Sequence, residues 1–145
     1  MIKVFSLDDM CKCVELFVQV FNAPPWNNKW TNNTAWKYLQ EFSDSKQFLG
    51  YTLWDNDIII GAVFGHLKSW YGGDEIYIDE LYISPDYQRK GYGIALMDTV
   101  EKFAKENSFS SITLLTGVGS PAFSFYEKIG YKHLEHLAFM HKRVV

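Results

Sequence analysis

One loop of the sequence combines residue types that could hold a phosphate. A run of strand-forming residues from Glu75 ends at Pro85, and a polar loop at 88–93 then opens an amphipathic helix. The first N–H groups of a helix have no acceptor within it and carry partial positive charge, so an anion placed there gains backbone hydrogen bonds. Arg89 and Lys90 add formal positive charge, and the glycines of the loop permit close approach to the backbone. The pattern indicates a phosphate site, although a glycine-containing turn with a solvated basic pair would have the same sequence.

The spacing excludes two common phosphate-binding loops. A P-loop would require Gly-x4-Gly-Lys-Ser/Thr, which the sequence lacks. The dinucleotide fingerprint would require a third glycine and a ribose-binding acid about 20 positions further on. The loop therefore belongs to neither class.

The elements that position this loop follow from hydrophobic periodicity and from turn residues. From 8 to 22 the apolar residues recur at helical spacing, which predicts a helix capped by Asp8 or Ser6 and stopped by Pro24 and Pro25. Further along, the sequence predicts helices at 31–42, 93–107 and 121–129, and strands at 48–54, 58–68, 75–84, 111–116 and, once or twice, within 131–143. This order predicts a single mixed α/β domain spanning residues 1–145.

Composition limits the kinds of partner. The 145 residues include 14 Lys and Arg against 17 Asp and Glu, a net charge of −3, so no overall field draws the protein to nucleic acid or to an acidic membrane surface. A small cationic partner fits this balance better. Aromatic residues make up 17% of the chain, more than a core alone usually needs, so some rings are expected to line a pocket. Trp36, Tyr38 and Leu39 of the second predicted helix are expected to face inward.

Cysteine and histidine usage argues against disulfides and metal. Cys11 and Cys13 are two residues apart in a predicted helix, where their side chains diverge, so reduced thiols and a cytoplasmic location are expected. No segment approaches the roughly 18 uncharged residues that a membrane span requires. The histidines have no cysteine or carboxylate cluster at metal-ligand spacing, so no metal is expected. They are His66, His133, His136 and His141.

Two motifs in the second half of the sequence resemble those of a known family. The stretch from Leu81 to Leu96, LYISPDYQRKGYGIAL, is similar to the acetyl-coenzyme A motif of the GNAT superfamily of N-acetyltransferases, written Gln/Arg-x-x-Gly-x-Gly/Ala after a strand. The stretch from Phe125 to Tyr131, FYEKIGY, resembles the second signature of that family, an aromatic pair followed by Glu-Lys-x-Gly-Phe/Tyr. The resemblance implies a GNAT fold, in which about four helices flank a mostly antiparallel mixed sheet of six to seven strands.

The resemblance also implies a site for acetyl-coenzyme A, the cosubstrate of the family. In such a site the backbone of Leu81 and Ile83 bonds the pantetheine arm as an added strand, and the loop at 88–94 holds the pyrophosphate. The positions that match the motif are Leu81, Tyr82, Ile83, Gln88, Arg89, Lys90, Gly91, Tyr92, Gly93 and Ile94. The family often has an asparagine in contact with the cofactor arm where this sequence has Gly119, so that contact is either absent or made by Ser120.

The implied reaction, direct attack of an amine on a thioester, needs a base and an acid. An alkylammonium with a pKa of about 10 must lose a proton before its nitrogen can attack. Glu80 is the first choice for the base and Asp79 the second, because the family commonly places a catalytic carboxylate in this part of the strand. Adjacent strand residues point to opposite faces, so only one of them can face the acceptor unless a bulge intervenes. Tyr126 matches the family's frequent general acid.

Each of these roles has an alternative. Either carboxylate could bind the substrate cation or pair at the surface, and in many family members a water chain serves as the base. The ring of Tyr126 could instead pack under the last strands. The retained carboxylate pair and Tyr126 favour an enzyme over a non-catalytic acyl-coenzyme A sensor.

Aromatic and acidic residues outside the motifs predict the acceptor site. It is expected between the loop at 24–30, the hairpin tip at 70–74 and the strand that carries the two carboxylates. The residues expected there are Trp26, Trp30, Trp70, Tyr71 and Asp74. Aromatic faces and carboxylates together favour a cation. The segment FNAPPW at 21–26 is similar to small bacterial GNAT enzymes related to aminoglycoside 6'-N-acetyltransferases.

The expected function is therefore acetyl transfer to a primary amine of a small cationic molecule, such as an aminoglycoside or a polyamine. Peptide or protein amines are the alternative acceptors. No nucleic acid or membrane partner is expected. Because dimers are common in the family, a homodimer is one of the expected assemblies.

Overall fold

The chain folds into two units. The computed structural model describes all 145 residues, with the first unit at 1–115 and the second at 116–145. The first unit contains, in order, β1 (Ile2–Val4), a 3-10 helix (Leu7–Asp9), α1 (Met10–Asn22), α2 (Asn32–Ser43), β2 (Phe48–Asp55), β3 (Ile58–Lys68), β4 (Glu75–Ile83), a second 3-10 helix (Pro85–Tyr87), α3 (Tyr92–Glu106) and β5 (Ser111–Leu114). The second unit contains α4 (Pro121–Lys128).

The strands form one sheet in the order β1-β2-β3-β4-β5. Neighbouring strands are antiparallel except for β4 and β5, which are parallel because α3 forms the crossover between them. The mostly antiparallel mixed sheet and its helices confirm the predicted α/β fold class.

The sheet has five strands, and the prediction of six to seven was wrong in number. The strands predicted within 131–143 are absent, and this segment of the second unit has neither helix nor strand. Apolar residues at alternate positions form a strand only where another strand supplies hydrogen bonds, and the second unit contains none. Conversely, β1 was not predicted, because its three residues are too few to show a strand-like alternation in the sequence.

Helices α1 and α2 cover one face of the sheet. Their core with the sheet includes Met10, Val14, Phe17, Leu39, Ala62, Phe64 and Tyr82. From α2, Ala35 and Leu39 are fully buried, and Tyr38 is half-buried as expected. The prediction that Trp36 faces inward was wrong, since this residue is 39% exposed. The burial of an aromatic ring at Tyr38 rather than Trp36 brings a phenol to the sheet.

Side-chain caps begin the first 3-10 helix and α2, whereas Asp9, which precedes α1, makes no side-chain cap. Ser6 accepts a hydrogen bond from the Asp8 N–H group, so Ser6 is the cap between the two predicted alternatives. Thr31 and Thr34 form a reciprocal capping box that begins α2. On the opposite face of the sheet, α3 buries Leu96 against the position of Gly61, whose absent Cβ would lie 3.4 Å from Leu96 Cδ1.

In the second unit, α4 begins at Pro121 after Ser120, whose hydroxyl accepts a hydrogen bond from the Phe123 N–H group at 3.1 Å. The ring centroids of Tyr126 and Tyr131 lie 5.5 Å apart. Apolar side chains of the last residues are exposed, namely Leu134, Leu137, Phe139, Met140, Val144 and Val145. No helix of either unit has the length and apolar character needed to cross a bilayer.

Candidate functional site

A β-bulge interrupts the pairing of β3 with β4. Phe64 pairs with Glu80 and Gly65 with Ile78, so Asp79 has no partner on β3. An extra residue in one strand bends it and redirects the side chains around it. The bulge therefore lies at the two carboxylates that the sequence singles out.

The bulge places both carboxylates toward α2. Glu80 Oε1 accepts a hydrogen bond of 2.7 Å from the Tyr38 hydroxyl of that helix. Asp79 lines a cavity of about 260 Å³ together with Glu41 and Phe42, which also belong to α2. The alternation of a regular strand would have allowed only one of them on this side. The bulge is the exception to this alternation, and it allows both carboxylates to lie on the same side of the sheet.

Gly65 allows the two backbones to approach at the bulge. A Cβ atom at this position would lie 2.5 Å from the Tyr77 carbonyl oxygen, which belongs to rigid backbone. We expect Gly65→Ala to lower the free energy of unfolding by about 1–3 kcal/mol, the usual cost of overpacking. Denaturant titration measures this loss. Gly72→Ala is the matched control, because its nearest contact would be 3.8 Å away, and an equal loss in both variants would contradict this role of Gly65.

The environment of Glu80 suits proton transfer near neutral pH. Burial, reinforced by the charge of Asp79, raises its pKa to about 7, and the hydrogen bond from Tyr38 opposes this rise. A carboxyl that titrates near the operating pH is an efficient proton acceptor. Burial and the same hydrogen bond raise the pKa of Tyr38, so its phenol stays neutral and donates a hydrogen bond to Glu80.

Asp79 contacts His66 rather than α2 directly. The Nδ1 atom of His66 lies 2.8 Å from Asp79 Oδ2, and the His66 ring lies 5.2 Å from the ring of Tyr77. Burial raises the pKa of Asp79, while the hydrogen bond and charge of His66 act in the opposite direction. No function was predicted for His66 from the sequence. The signal that could have found it is the register of the hairpin, which pairs His66 with Tyr77, two positions from Asp79.

The edge of β4 next to β5 is open beyond the bulge. β5 pairs with β4 only from Glu75 to Ile78, so from 79 to 83 this edge has no strand partner. Leu81 and Ile83, expected to bond an added strand, lie in that open part. The Tyr82 side chain is buried, and its hydroxyl donates to the Cys13 carbonyl, so only its backbone is available to a ligand.

The loop that follows β4 leaves space at the start of α3. Gly91 has φ of 87°, and no atom lies within 4 Å of the position that its Cβ would occupy. The first turn of α3 has no side-chain cap, and Ala95 is the first residue whose N–H group reaches back, to the Gly91 carbonyl. This arrangement fits the phosphates of a nucleotide cofactor, because free N–H groups and open space coincide.

Two side chains fix the shape of this loop. The Gln88 amide donates to the Ile83 carbonyl at 3.0 Å, and the Lys90 ammonium donates to the Asp86 carbonyl at 3.2 Å. Arg89 has φ of 60°, a left-handed conformation. Of the remaining motif residues, Tyr92 and Gly93 are half-buried at the start of α3, and Ile94 is exposed. The predicted loop residues therefore form one continuous surface segment.

The structure divides the predicted acceptor residues into two groups. Trp30 lies close to the carboxylates, because its ring is 5.1 Å from that of Tyr38, which bonds Glu80. Trp26 follows at the other end of the same loop, with its ring 5.6 Å from that of Phe21. The side-chain amide of Asn22 holds this loop, because it donates to the Trp30 carbonyl and accepts from the Trp30 N–H group, each at 2.8 Å.

The hairpin-tip residues form the second group and lie away from Glu80. Trp70 and Tyr71 stack with ring centroids 5.3 Å apart, and Asp74 accepts a hydrogen bond from the Trp70 N–H group. Asp74 is six positions from Glu80 along the strand, or roughly 20 Å at about 3.3 Å per residue. The structure does not bring these three residues together with the carboxylates, because they lie at the tip of the β3–β4 hairpin, several residues along β4 from the bulge.

Ser120 and Tyr126 belong to the second unit. The Ser120 hydroxyl caps α4 and keeps its own proton available to donate. Tyr126 lies on α4, with its ring 5.1 Å from the Phe125 ring. Their predicted roles remain predictions.

Comparisons with known proteins agree with this fold. Residues 12–131 match the profile of the acetyltransferase (GNAT) family. One relative, the probable N-acetyltransferase san of Drosophila melanogaster, is 30% identical over 91 residues, which cover 61% of this chain and 50% of the relative. The chain thus matches about half the length of that relative.

Solved structures show the same fold at low sequence identity. An aminoglycoside antibiotic 6'-N-acetyltransferase from Acinetobacter haemolyticus has a TM-score of 0.78 and 14% identity, with 100% of this chain and 99% of that chain covered. An aminoglycoside acetyltransferase from an uncultured soil metagenomic sample, solved with sisomicin, has a TM-score of 0.77 and 18% identity, with 100% and 96% covered. Since the family profile spans most of the chain and the fold agrees, this protein belongs to the acetyltransferase (GNAT) family.

Proposed function

We propose that this protein transfers the acetyl group of acetyl-coenzyme A to a primary amine of a small cationic molecule, by direct attack. The observation that carries the proposal is the arrangement on β4. A half-buried carboxyl with a pKa of about 7, Glu80, lies beside a second carboxyl, Asp79, and is followed along the chain by an open loop at the start of α3. A family acyltransferase with a base near neutrality is suited to amine acceptors.

The donor would be held by β4 and the loop. When bound, acetyl-coenzyme A supplies an acetyl group activated as a thioester. The open edge at 79–83 offers backbone groups to an amide-containing arm, as in strand addition. The N–H groups around Gly91 and the charges of Arg89 and Lys90 offer a site to phosphates. The residues present therefore fit this cosubstrate.

Glu80 is the proposed base. An acceptor ammonium with a pKa of about 10 is protonated at neutral pH, and its nitrogen becomes a nucleophile only after a proton leaves. The unprotonated Glu80 carboxylate accepts that proton, and the hydrogen bond from Tyr38 keeps the carboxylate oriented. Because one proton is released in each turnover, a base that titrates near neutrality can return it to solvent.

The acceptor is proposed to be a cation with more than one amino group. Asp79 and the exposed Glu41 line the cavity next to Glu80, and Trp30 and Tyr38 supply aromatic faces nearby. Carboxylates and aromatic rings attract ammonium groups. The aminoglycoside acetyltransferases of similar fold support an aminoglycoside, and a polyamine has the same chemistry.

A coenzyme A release assay across matched amines tests this proposal. The panel contains a linear diamine, the monoamine of equal length, an aminoglycoside, and peptides with a free N-terminus or a lysine. We expect the diamine and the aminoglycoside to exceed the monoamine in kcat/KM at least about tenfold, which corresponds to about 1.4 kcal/mol. Preference for the peptides would move the acceptor to protein amines. Release with none of the amines would favour a non-catalytic acyl-coenzyme A sensor.

Tyr126 is proposed as the acid that protonates the departing thiolate, on the basis of its place in the second motif. We expect Tyr126→Phe to lower kcat roughly 100-fold, the lower end of the range for a positioned proton donor, with little change in acetyl-coenzyme A affinity. Steady-state kinetics and calorimetric titration measure the two effects. Turnover at the parental rate would make the Tyr126 ring structural and leave protonation to water.

A further inference from the structure

His66 is a side chain to which the proposed reaction assigns no part. It lies on β3 beside the bulge, and its Nδ1 atom is 2.8 Å from Asp79 Oδ2. The Asp79 side chain is 13% exposed, whereas that of His66 is 39% exposed. A largely buried carboxylate is thus held by an imidazole that reaches solvent.

We propose that His66 is a positioning residue of the amine site, which holds and compensates the Asp79 carboxylate and through it sets the proton-accepting strength of Glu80. The inference rests on the proposed function, because it concerns the same base. It assigns to a histidine on β3 a role that neither sequence motif contains.

The bulge is what couples these groups. It directs the adjacent carboxylates of Asp79 and Glu80 to the same side of the sheet, toward α2. Two like charges this close disfavour each other's ionisation, and the charge of Asp79 raises the pKa of Glu80. His66 opposes this effect, because a hydrogen bond or a positive charge on its ring compensates Asp79.

Other groups around the cluster contribute little charge at neutral pH. The titratable groups that face it are Tyr38 and Glu41 of α2, Cys13 of α1, His66 of β3, and Tyr77, Asp79 and Tyr82 of β4. Burial raises the pKa of each tyrosine and of the cysteine, so these groups stay neutral. Glu41 is exposed, and solvent screens its charge. The electrostatic environment of the Glu80 carboxyl is therefore determined mainly by Asp79 and His66.

This arrangement determines whether each substitution raises or lowers the pKa of Glu80. His66→Gln keeps a hydrogen-bonding side chain but removes the imidazole whose charge favours the Asp79 carboxylate, so Asp79 is less compensated and the pKa of Glu80 should rise. Asp79→Asn removes the like charge, so the pKa of Glu80 should fall. We expect each shift to be about 0.5–1 pH unit. If His66 acts through Asp79, the double variant should behave like Asp79→Asn alone.

Carbon-13 NMR of the glutamate side-chain carboxyls tests the proposal without an acceptor. The intact protein is labelled at these carboxyls and titrated with acid and base, and Glu80→Gln identifies the Glu80 signal by its loss. The expected result is an upward shift in His66→Gln, a downward shift in Asp79→Asn and no further effect of His66→Gln in the Asp79→Asn background. His141→Gln, an exposed histidine of the second unit, is the control and should cause no shift.

An unchanged Glu80 titration in His66→Gln would overturn the proposal, as would an equal shift in the presence and absence of the Asp79 carboxylate. His66→Asn provides the same comparison if His66→Gln does not fold, as judged by circular dichroism. The titration separates this inference from the proposed function. If the shifts occur but Glu80→Gln acetylates amines at the parental rate, the coupling stands and the role of Glu80 as base fails.

Discussion

Glu80→Gln is expected to lower kcat about 100- to 10,000-fold, the range that follows loss of a positioned general base. Glutamine keeps the size of the side chain and can still accept a hydrogen bond from Tyr38, but it cannot take the ammonium proton. The affinity for acetyl-coenzyme A should change little. Single-turnover kinetics with a good amine, together with calorimetric titration of the cosubstrate, measure the two quantities.

The pH dependence gives a second signature of the same residue. Because the unprotonated carboxylate is the active form and its pKa is raised to about 7, kcat/KM should rise with pH through about 7. In Glu80→Gln this limb should disappear. Asp79→Asn is the control, and it should reduce kcat less than Glu80→Gln does. If Asp79→Asn alone removes the activity, the two assignments must be exchanged, and if Glu80→Gln raises only KM, Glu80 binds the cation.

Gly91→Glu is expected to weaken acetyl-coenzyme A binding at least about 100-fold, or roughly 2.8 kcal/mol. The side chain would enter the open space at the start of α3, where it brings a negative charge to the proposed phosphate site. No atom lies within 4 Å of the new Cβ, so the protein should still fold, with a cost of about 1–2 kcal/mol for a non-glycine residue at positive φ. Calorimetric titration measures the affinity.

Gly130→Glu is the matched control for Gly91→Glu. Gly130 also has positive φ, 101°, and its Cβ position is equally free of neighbours. This variant adds the same charge and similar backbone strain outside the loop, so its affinity for acetyl-coenzyme A should stay within a few-fold of the parent. Equal affinities in the folded Gly91→Glu variant and the parent would remove the phosphate site from this loop.

The parts of the fold that the sequence predicted are those with local signals. The periodicity of α1, the turn between β2 and β3 and the glycine loop before α3 each depend on residues close together in the chain, and the structure has all three. The strands predicted within 131–143 depend on a partner elsewhere, and β-strand patterns carry no information about whether that partner exists. The strands predicted at 48–54, 58–68, 75–84 and 111–116 have partners in the sheet and are present, whereas those predicted within 131–143 have none.

The geometry of the candidate site also depends on contacts between residues that lie far apart in the chain. Glu80 and Asp79 were identifiable from their place in the strand just before the first motif, but their shared orientation depends on a bulge opposite Gly65, which no local sequence pattern predicts. Tyr38 and His66 come from a helix and a neighbouring strand, and only the packed structure places them beside the carboxylates.

Aromatic composition predicted a pocket but could not locate it. Trp30 packs near Tyr38 and hence near Glu80, and two hydrogen bonds between the Asn22 side chain and the Trp30 backbone hold its loop against α1. Trp70 and Tyr71 are also aromatic and are more exposed than Trp30, yet they lie at the tip of the β3–β4 hairpin. Chemical type alone did not separate these two groups, since the separation depends on strand length.

Acetyl transfer itself is tested most directly by following both products of one reaction. The protein is mixed with acetyl-coenzyme A and a polycationic amine, and mass spectrometry quantifies the acetylated amine while a thiol reagent quantifies free coenzyme A. We expect equal amounts of the two products, formed many times faster than by Glu80→Gln at neutral pH. Binding of acetyl-coenzyme A with no acetylated product from any amine or peptide, or equal rates for the parent and Glu80→Gln, would contradict the proposed function.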